Sequence, residues 1–414
     1  MRLTSALVSL AVLAFAQGAH AACDGATGRA ADFGGRRTFL WRPEALTAQK
    51  AAIAADPKSV PAYAALIKEA DADLARGPWS VMDKTKSPPS GDKHDYMSIA
   101  PYFWPDPAKP DGLPYVNHDG EINPERATNA YDRVRLGDMA GAVDTLGLAY
   151  YFTGNKKYAD RAALILRAWF LDPATRMNPN LNFAQGVPGK EIGRSFGIID
   201  TADFLGMVDA IGLLEPSGSL SADDIKGIHA WFGDFTTWLA TSDAGKTEHS
   251  AKNNHAIWFD LQFSDYALFA GKAEAAKADI AAFAQARIAP QFTADGSLPQ
   301  ELARTRSFHY STWTMEAVYD IATLGECVGI DLWSYQSPDG KSLRKNTDFI
   351  AQYAGHEDQW KWKEISLDKK DLYNALVRAS WGYRDPALGA KAQAVGDFST
   401  ARDALTSPPF KGKS

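Results

Sequence analysis

The stretch NNHAIWFDLQFSDYALFA, residues 253–270, decides the fold class. Apolar side chains recur along it at helical spacing, and the polar Asn253-Asn254 pair stands where a helix begins. The same spacing, together with many Ala and Leu residues, is found along most of the chain. It predicts helices over residues 59–76, 127–153, 156–170, 191–213, 221–240, 253–270, 273–288, 310–330, 342–354 and 371–380. The sequence therefore predicts an all-α protein.

Helix-ending signals separate these segments at short intervals. Gly154-Asn155, Asp172-Pro173 and Gly271 interrupt the pattern, and residues 219–223 form a capping stretch. Short turns place consecutive helices antiparallel, and no alternation of strands with helices is present. We therefore expect about 10 to 13 helices in an (α/α)n toroid, an incomplete α/α barrel of antiparallel helical hairpins with a groove at one rim.

The first 21 residues have the organisation of a secretory signal peptide. An apolar stretch covers residues 6–16, and Ala19-His20-Ala21 matches a cleavage site. We therefore expect export to the periplasm. A lipoprotein signal ending at Cys23 is the less favoured alternative, because His20 stands where such a signal has a bulky aliphatic residue. No linker-like stretch divides residues 22–414, which are predicted to form a single domain.

The composition of the chain argues against several kinds of binding partner and cofactor. The 414-residue chain carries a formal net charge of −6, which argues against nucleic acid or an anionic membrane surface as a partner. After the signal segment, no apolar run is long enough to span a bilayer. Cys23 and Cys327 can form one bridge at most, which excludes a disulfide scaffold and a cysteine-ligated metal site. No zinc-protease, phosphate-loop or dinucleotide motif is present, so no metal or cofactor is predicted, and the oligomeric state is left open.

The segment 87–123 is the longest irregular stretch. It contains seven prolines and several aromatic residues. A loop of this length inside a compact domain is usually functional or disordered, and its aromatic content argues against disorder. We predict an ordered loop over the groove, with Lys93, His94, Tyr102 and Trp104 as substrate-binding residues. The alternative is that its aromatic side chains only pack onto the rim.

A group of polar residues at a helix start suits a carboxylate ligand. Asn253, Asn254 and His255 offer amide and imidazole groups beside free backbone N–H groups. Such groups can neutralise the carboxylate of a uronic acid, which makes the neighbouring C5 proton removable. The alternative is an ordinary helix N-cap followed by a histidine.

A second cluster covers residues 304–310, after a turn signal. A tyrosine can act as a base only when its pKa is lowered, and we expect Arg304 and Arg306 to lower that of Tyr310. The same phenol can then protonate the departing O4, which requires both atoms on one face of the sugar. Mannuronate and glucuronate meet this condition, whereas guluronate needs groups on opposite faces. His309 is a further candidate for substrate contact, and the alternative for Tyr310 is a rim tyrosine with a satisfied hydroxyl.

Four motifs in this order resemble those of the alginate lyase family of polysaccharide lyases. They are residues 98–107, residues 193–201, residues 253–255, and residues 298–304 through 309–310. The resemblance implies an α/α toroid and metal-independent syn β-elimination on β-1,4-linked uronans of the mannuronate type, giving 4,5-unsaturated ends. It further implies that Tyr310 is base and acid, and that Asn254, His255 and Arg304 neutralise the carboxylate.

One departure from the family pattern concerns the substrate. The stretch between Arg304 and the His309-Tyr310 pair is one residue shorter than in mannuronan-type members. Glucuronan is therefore a serious second candidate substrate. Arg194, which stands between Gly193 and Gly197, is interpreted as structural because these glycines indicate a tight helix contact.

Two other functions remain open at this point. A glycoside hydrolase on the same toroid needs two carboxylates beside the groove. The available candidates are Asp95, Asp132, Asp200 and Glu301. A periplasmic uronate-binding protein without catalysis would use the same cations but would tolerate Tyr310→Phe.

Overall fold

The computed structural model describes residues 23–412, so the signal peptide predicted for residues 1–21 lies outside the described residues. The chain is predominantly helical. Its first helices are α1 (Pro43–Ala55), α2 (Pro61–Asp73), α3 (Arg133–Thr153), α4 (Lys156–Leu166), α5 (Phe204–Leu214), α6 (Ala222–Thr241), α7 (Asp243–His249) and α8 (Asn254–Phe269). They are followed by α9 (Ala273–Phe283), α10 (Ala289–Gln291), α11 (Pro299–Leu302), α12 (Ser307–Val328), α13 (Leu343–Ala351), α14 (Lys370–Gly382), α15 (Pro386–Val395) and α16 (Asp403–Thr406).

Five helices form an inner ring. α3 packs on α5, α5 on α8, α8 on α12 and α12 on α14, while α2, α4, α6, α9, α13 and α15 pack on these from outside. The described residues of α8 are almost all buried, as its run of apolar residues requires. Each fully buried Leu, Ile or Phe on such a helix contributes about 1.5–3 kcal/mol relative to exposure. This arrangement is the predicted α/α toroid.

The ring is closed by the two ends of the described chain. α16 packs against α1 and α2, and Arg402 donates a hydrogen bond of 3.3 Å to the carbonyl of Gly141 on α3. The N-terminal segment is fixed to α12 by a disulfide between Cys23 and Cys327. Beside it, Glu326 bridges Arg29 and Arg42. Covalent and ionic contacts thus hold the start of the described chain on an inner helix.

Short strands fix the segment that precedes α3. β1 (Met97–Ile99) pairs in parallel with β4 (Phe183–Gly186), and β2 (Phe103–Trp104) pairs antiparallel with β3 (Val116–Asn117). The 87–123 segment is therefore an ordered loop, held to the rim of the toroid by backbone hydrogen bonds.

One predicted helix is different in the structure. In the segment predicted as helical over residues 191–213, residues 191–194 are not helical, Ser195–Asp203 forms a 3₁₀ helix, and only the part from Phe204 onward is α-helical, as α5. Close backbone contacts explain this change. A Cβ on Gly193 would lie 2.0 Å from the carbonyl oxygen of Asn182, and one on Gly197 would lie 2.3 Å from Cβ of Ala184. The two glycines let this segment pack against the chain around β4.

Several other bounds differ from the sequence prediction. The helix predicted from residue 127 begins at Arg133, because Pro124–Ala127 forms a separate 3₁₀ turn. The short or terminal helices α1, α7, α10, α11, α15 and α16 were not predicted. Within residues 23–412, no helix combines the length and hydropathy that crossing a bilayer requires.

Candidate active site

The N-termini of four inner helices meet at one cleft. This cleft has a volume of about 960 Å³ and is lined by Arg133 at the start of α3, Asp203 before α5, Asn254 of α8 and Tyr310 of α12. Each helix N-terminus carries partial positive charge and free N–H groups. The architecture therefore favours an anionic ligand in this cleft.

Tyr310 lies in the first turn of α12 and is only 5% exposed. Its hydroxyl oxygen is 2.6 Å from that of Tyr102, which comes from the loop over the cleft. The guanidinium carbon of Arg304 lies 3.7 Å from the centre of the Tyr310 ring. Both residues were predicted at the site, and the structure brings them together with Tyr310.

The predicted lowering of the Tyr310 pKa is not found. Burial of the phenol raises the pKa of Tyr310 well above its usual value, and the opposing effect of Arg304 is smaller. Part of the reason is that the charge of Arg304 is already paired with Asp119, whose Oδ1 lies 2.6 Å from Nη2. Without a ligand, Tyr310 is therefore protonated at neutral pH.

Asp119 joins the loop over the cleft to the arginine segment. Its carboxylate accepts the hydrogen bond from Arg304, and it also accepts one of 2.9 Å from the hydroxyl of Thr305. β3 ends two residues before Asp119, so the β2–β3 pair sets its position. The sequence analysis did not identify Asp119, because the two segments are far apart in the chain.

His255 is oriented by a buried carboxylate. Its Nδ1 lies 2.5 Å from Oε1 of Glu248, which is 2% exposed at the end of α7, and its ring meets Phe196 edge to face at 4.5 Å. A carboxylate at Nδ1 favours a proton there and leaves Nε2 for the cleft. Glu248 was missed because the sequence gave no reason to place it beside His255.

Asn254 is held by Glu301, a residue that the sequence analysis had assigned to a possible hydrolytic pair. The backbone N–H and the side-chain amide of Asn254 each donate a hydrogen bond of 2.7 Å to the Glu301 carboxylate. Burial raises the pKa of Glu301, with the two Asn254 bonds opposing it. Asn254 is fully buried, and its Oδ1 has no hydrogen-bond partner among the described residues. Asn253 precedes the helix and also lines the cleft.

Arg306 and His309 line the same cleft. Nε of Arg306 is covered and has no hydrogen-bond partner in the described part of the chain. His309 has its Nδ1 2.6 Å from the Asp371 carboxylate, and its ring stacks on Trp313 at 5.5 Å. Both residues therefore lie where the sequence prediction places them, in the wall of the cleft.

Three of the predicted substrate-binding residues do not line the cleft. The ring Nδ1 of His94 is 2.6 Å from the carbonyl oxygen of Arg176, and the carbonyl of Lys93 accepts a hydrogen bond from Lys84. The indole of Trp104 donates to the carbonyl of Glu121. These contacts stabilise the loop itself, and the aromatic pattern alone did not distinguish them from Tyr102.

Arg194 faces the cleft instead of playing only the structural role that we had expected. Its guanidinium carbon lies 4.9 Å from the ring centres of both Phe103 and Phe196, and its Nε donates to the carbonyl of Gln185. Gln185 has a φ of 46°, a strained conformation for a residue other than glycine. The rings and this carbonyl fix the direction of the Arg194 side chain.

Each of the four carboxylates proposed for hydrolysis is already bound by other side chains, including Asp200, which lines the cleft. Asp95 accepts hydrogen bonds from Asn178 and Asn180, Asp132 is paired with Lys84, and Asp200 with Arg126. Glu301 holds Asn254. The cleft instead combines a phenol, an imidazole and several guanidiniums, a set suited to stabilising a carboxylate while a proton is moved.

Comparison with known proteins relates the chain to a family. The sequence matches the family model described as alginate lyase over residues 80–360. The crystal structure of an alginate lyase from Bacteroides ovatus is similar, with 39% identity, a TM-score of 0.85, and coverage of 90% of this chain and 99% of the other.

Alginate lyase A1-III from Sphingomonas species A1 shares the fold at 16% identity and a TM-score of 0.52, covering 82% of this chain and 90% of that one. A variant of that enzyme complexed with a tetrasaccharide matches at 17% identity and a TM-score of 0.50, over 76% and 83% of the two chains. No curated protein sequence matches the chain significantly.

Proposed function

Because this chain belongs to the alginate lyase family and is a polysaccharide lyase, we propose that it cleaves β-1,4-linked mannuronate in alginate by metal-independent syn β-elimination. The observation that carries the proposal is the position of Tyr310, in contact with Arg304 and Tyr102 in a cleft where helix N-termini converge. The Bacteroides ovatus relative is described as an alginate lyase, which supports alginate as the polymer.

The first step requires neutralisation of the sugar carboxylate at C6. In our proposal His255 donates a hydrogen bond from a protonated Nε2 to this carboxylate while its Nδ1–H donates to Glu248, and Asn254 and the N-terminus of α8 also bind the carboxylate. Arg304 supplies positive charge from the other wall, where its salt bridge with Asp119 orients it. Neutralisation lets the charge that develops after loss of the C5 proton spread onto the carboxylate, which makes this proton acidic enough to remove.

The second step moves one proton. The Tyr310 phenolate takes the proton from C5, and the electron pair of the C5–H bond forms the C4=C5 double bond. The C4–O4 bond breaks, its electron pair stays on O4, and the new Tyr310 phenol donates its proton to O4. The tyrosine ends as it began, so no cofactor or other reactant is consumed.

A single tyrosine that serves as base and acid sets the stereochemistry. It acts on sugars whose C5 proton and O4 lie on the same face, which is the case for mannuronate and glucuronate. The shortened segment between Arg304 and Tyr310 favours glucuronan as the second candidate substrate. Tyr102, His309, Arg306 and Asn253 are proposed to contact the sugar ring.

Absorbance measurements with separate polymers test this function. The purified enzyme is incubated with polymannuronate, polyguluronate and glucuronan in the presence of a chelator, and the ultraviolet absorbance of the new double bond is followed. We expect the fastest rise on polymannuronate and none with Tyr310→Phe. Tyr335→Phe, which changes a half-buried tyrosine away from the cleft, is the matched control. Reducing ends without absorbance would contradict elimination.

We also propose that the protein is exported to the periplasm and is not a lipoprotein. The disulfide between Cys23 and Cys327 supports export, because such bonds persist in oxidising compartments. A Cys23 sulfur in a disulfide is not free to carry a lipid thioether. Mass spectrometry of the mature N-terminal peptide under non-reducing conditions tests this: a Cys23–Cys327 linked peptide is expected, and a lipidated Cys23 would contradict it.

A further inference from the structure

A second group of polar side chains lies outside the lining of the active-site cleft. His249 ends α7, Asp260 is in the second turn of α8, and Asp279 is on α9. One nitrogen of His249 and one oxygen of each carboxylate lie within 4.8 Å of one another. The sequence analysis did not find this group, because its members come from three helices and form no spaced motif.

The distances are too long for hydrogen bonds but suit a metal. His249 Nε2 is 3.6 Å from Asp260 Oδ1 and 3.7 Å from Asp279 Oδ1. Nitrogen and oxygen ligands at about 2.1 Å from a tetrahedral zinc ion lie about 3.4 Å from one another. A small movement of the half-exposed His249 ring would complete this spacing.

Two buried carboxylates side by side require a compensating charge. The side chains of Asp260 and Asp279 are 3% and 12% exposed. Arg287 pairs with both oxygens of Asp260, whereas the hydrogen bond found for Asp279 comes from the hydroxyl of Ser264. A proton shared between the carboxylates or a bound cation can relieve their repulsion.

The surrounding contacts resemble the outer shell of a metal site. Metal ligands are typically held by further hydrogen bonds that set their direction. Arg287 holds Asp260 at 2.6 and 2.8 Å, and Ser264 holds Asp279 at 3.0 Å. His249 faces solvent on its other side, which provides a path of entry.

We propose that His249, Asp260 and Asp279 bind one zinc-like divalent transition-metal ion, with water completing the coordination. Imidazole plus carboxylate suits zinc better than calcium, which takes six or more oxygen ligands. The ion would tie the end of α7 to α8 and α9. In the sequence, Asn254 and His255 lie between His249 and Asp260. The metal would therefore stiffen the segment that positions Asn254 and His255, without taking part in the elimination.

Calorimetric titration of metal-free, untagged enzyme with zinc chloride tests the proposal. We expect a stoichiometry near one per chain and a higher melting temperature with zinc. His249→Ala and Asp279→Asn should each weaken binding by more than about 100-fold, beyond the 10–100-fold cost of losing an outer-shell partner. His356→Ala removes an exposed histidine elsewhere and should bind zinc as the wild type does.

Any one of three outcomes would overturn the site. The first is that wild-type enzyme neither binds zinc nor gains thermal stability with it; Asp279→Asn would then melt at the wild-type temperature, as a shared proton predicts. The second is that His249→Ala binds zinc as tightly as the wild type. The third is preferential binding of calcium, which should give no comparable heat when it is titrated in parallel. None of these results depends on lyase activity.

Discussion

The hydroxyl oxygens of Tyr102 and Tyr310 lie 2.6 Å apart, although 208 residues separate them in the sequence. The loop that carries Tyr102 is therefore part of the site. When Tyr310 is neutral it can donate to Tyr102. When it becomes a phenolate, Tyr102 can donate to it, and a hydrogen bond to the charged form favours that form. Tyr102 is thus positioned to assist the ionisation that burial opposes.

Substitution of the two tyrosines by phenylalanine should have unequal effects. Tyr310→Phe removes the group that moves the proton and should lower kcat by at least about 10⁴-fold, near the upper end of what a positioned acid–base group contributes. Tyr102→Phe keeps that group and removes one hydrogen bond to its charged form, which should lower kcat about 10–100-fold. Initial rates of absorbance increase on polymannuronate measure both.

Circular dichroism melting curves should be similar for both variants and the wild type, since each change removes one hydroxyl. If Tyr310→Phe retains a tenth or more of wild-type turnover, Tyr310 is not the base. A Tyr102→Phe enzyme with unchanged kcat would show that the short contact has no role in ionisation.

Activity should rise with pH across the neutral and mildly alkaline range. Burial raises the pKa of Tyr310, so the phenolate is the minor form below that pKa. Its population increases about tenfold per pH unit until the pKa is reached. We therefore expect log(kcat/KM) to climb with a slope approaching one, measured with buffers of constant ionic strength. A plateau beginning below pH 7 would contradict the raised pKa.

The orientation of His255 gives a separate prediction. Glu248→Gln keeps the size of the side chain but removes the charge at Nδ1 and offers an amide donor there. The imidazole can then stay neutral, accepting at Nδ1 and carrying its one proton on Nε2, so the positive charge that would neutralise the sugar carboxylate is lost. We expect kcat to fall about 10-fold or more while the fold is retained, with His255→Ala lower still. Equal activity of Glu248→Gln and the wild type would show that the contact is only structural.

The sequence predicted the toroid well because its signal is local. Residues 253–270 and 310–330 carry helical spacing, and the structure has helices over Asn254–Phe269 and Ser307–Val328. Local spacing could not reveal the 3₁₀ segment Ser195–Asp203, because its shape depends on backbone contacts with the chain around β4. The local residue pattern determines where the helices form, whereas contacts with residues distant in the sequence determine where a 3₁₀ helix replaces an α-helix.

The site was predictable where chemistry follows from residue type. Tyr310, Arg304 and His255 were identified, and all three line one cleft. Their partners Asp119 and Glu248 were not, since an ordinary acidic residue has no distinguishing pattern until the fold pairs it. The direction of the Tyr310 pKa shift was also predicted wrongly. The extent of burial and the pairing of Arg304 with Asp119 determine it, and both are properties of the folded chain.

Arg194 should contribute to binding more than to turnover. It is held over Phe103 and Phe196 at the cleft and carries a charge that suits a uronate carboxylate. Loss of one charge-assisted hydrogen bond, about 1.5–3 kcal/mol, predicts that Arg194→Met raises KM by about 10-fold or more with a smaller change in kcat. Steady-state kinetics at several polymer concentrations measure this. A fall in kcat alone would place Arg194 in the chemical step instead.

The salt bridges from Glu326 to Arg29 and Arg42 should contribute to the stability of the fold and to its dependence on pH. Burial raises the pKa of Glu326, but Arg42 and Arg29 lower it more, to about 2. A carboxylate with a lowered pKa stabilises the fold fully above its unfolded pKa, near 4.5, and this contribution, about 3 kcal/mol, is lost as the pH falls toward 2. Glu326→Gln leaves two buried guanidiniums without their carboxylate and should cost about 3–5 kcal/mol at pH 7. Urea unfolding of both proteins at pH 7 and pH 3 tests this. The difference in unfolding free energy between the wild type and Glu326→Gln should be smaller at pH 3 than at pH 7. A constant difference would show that the charge of Glu326 does not stabilise the fold.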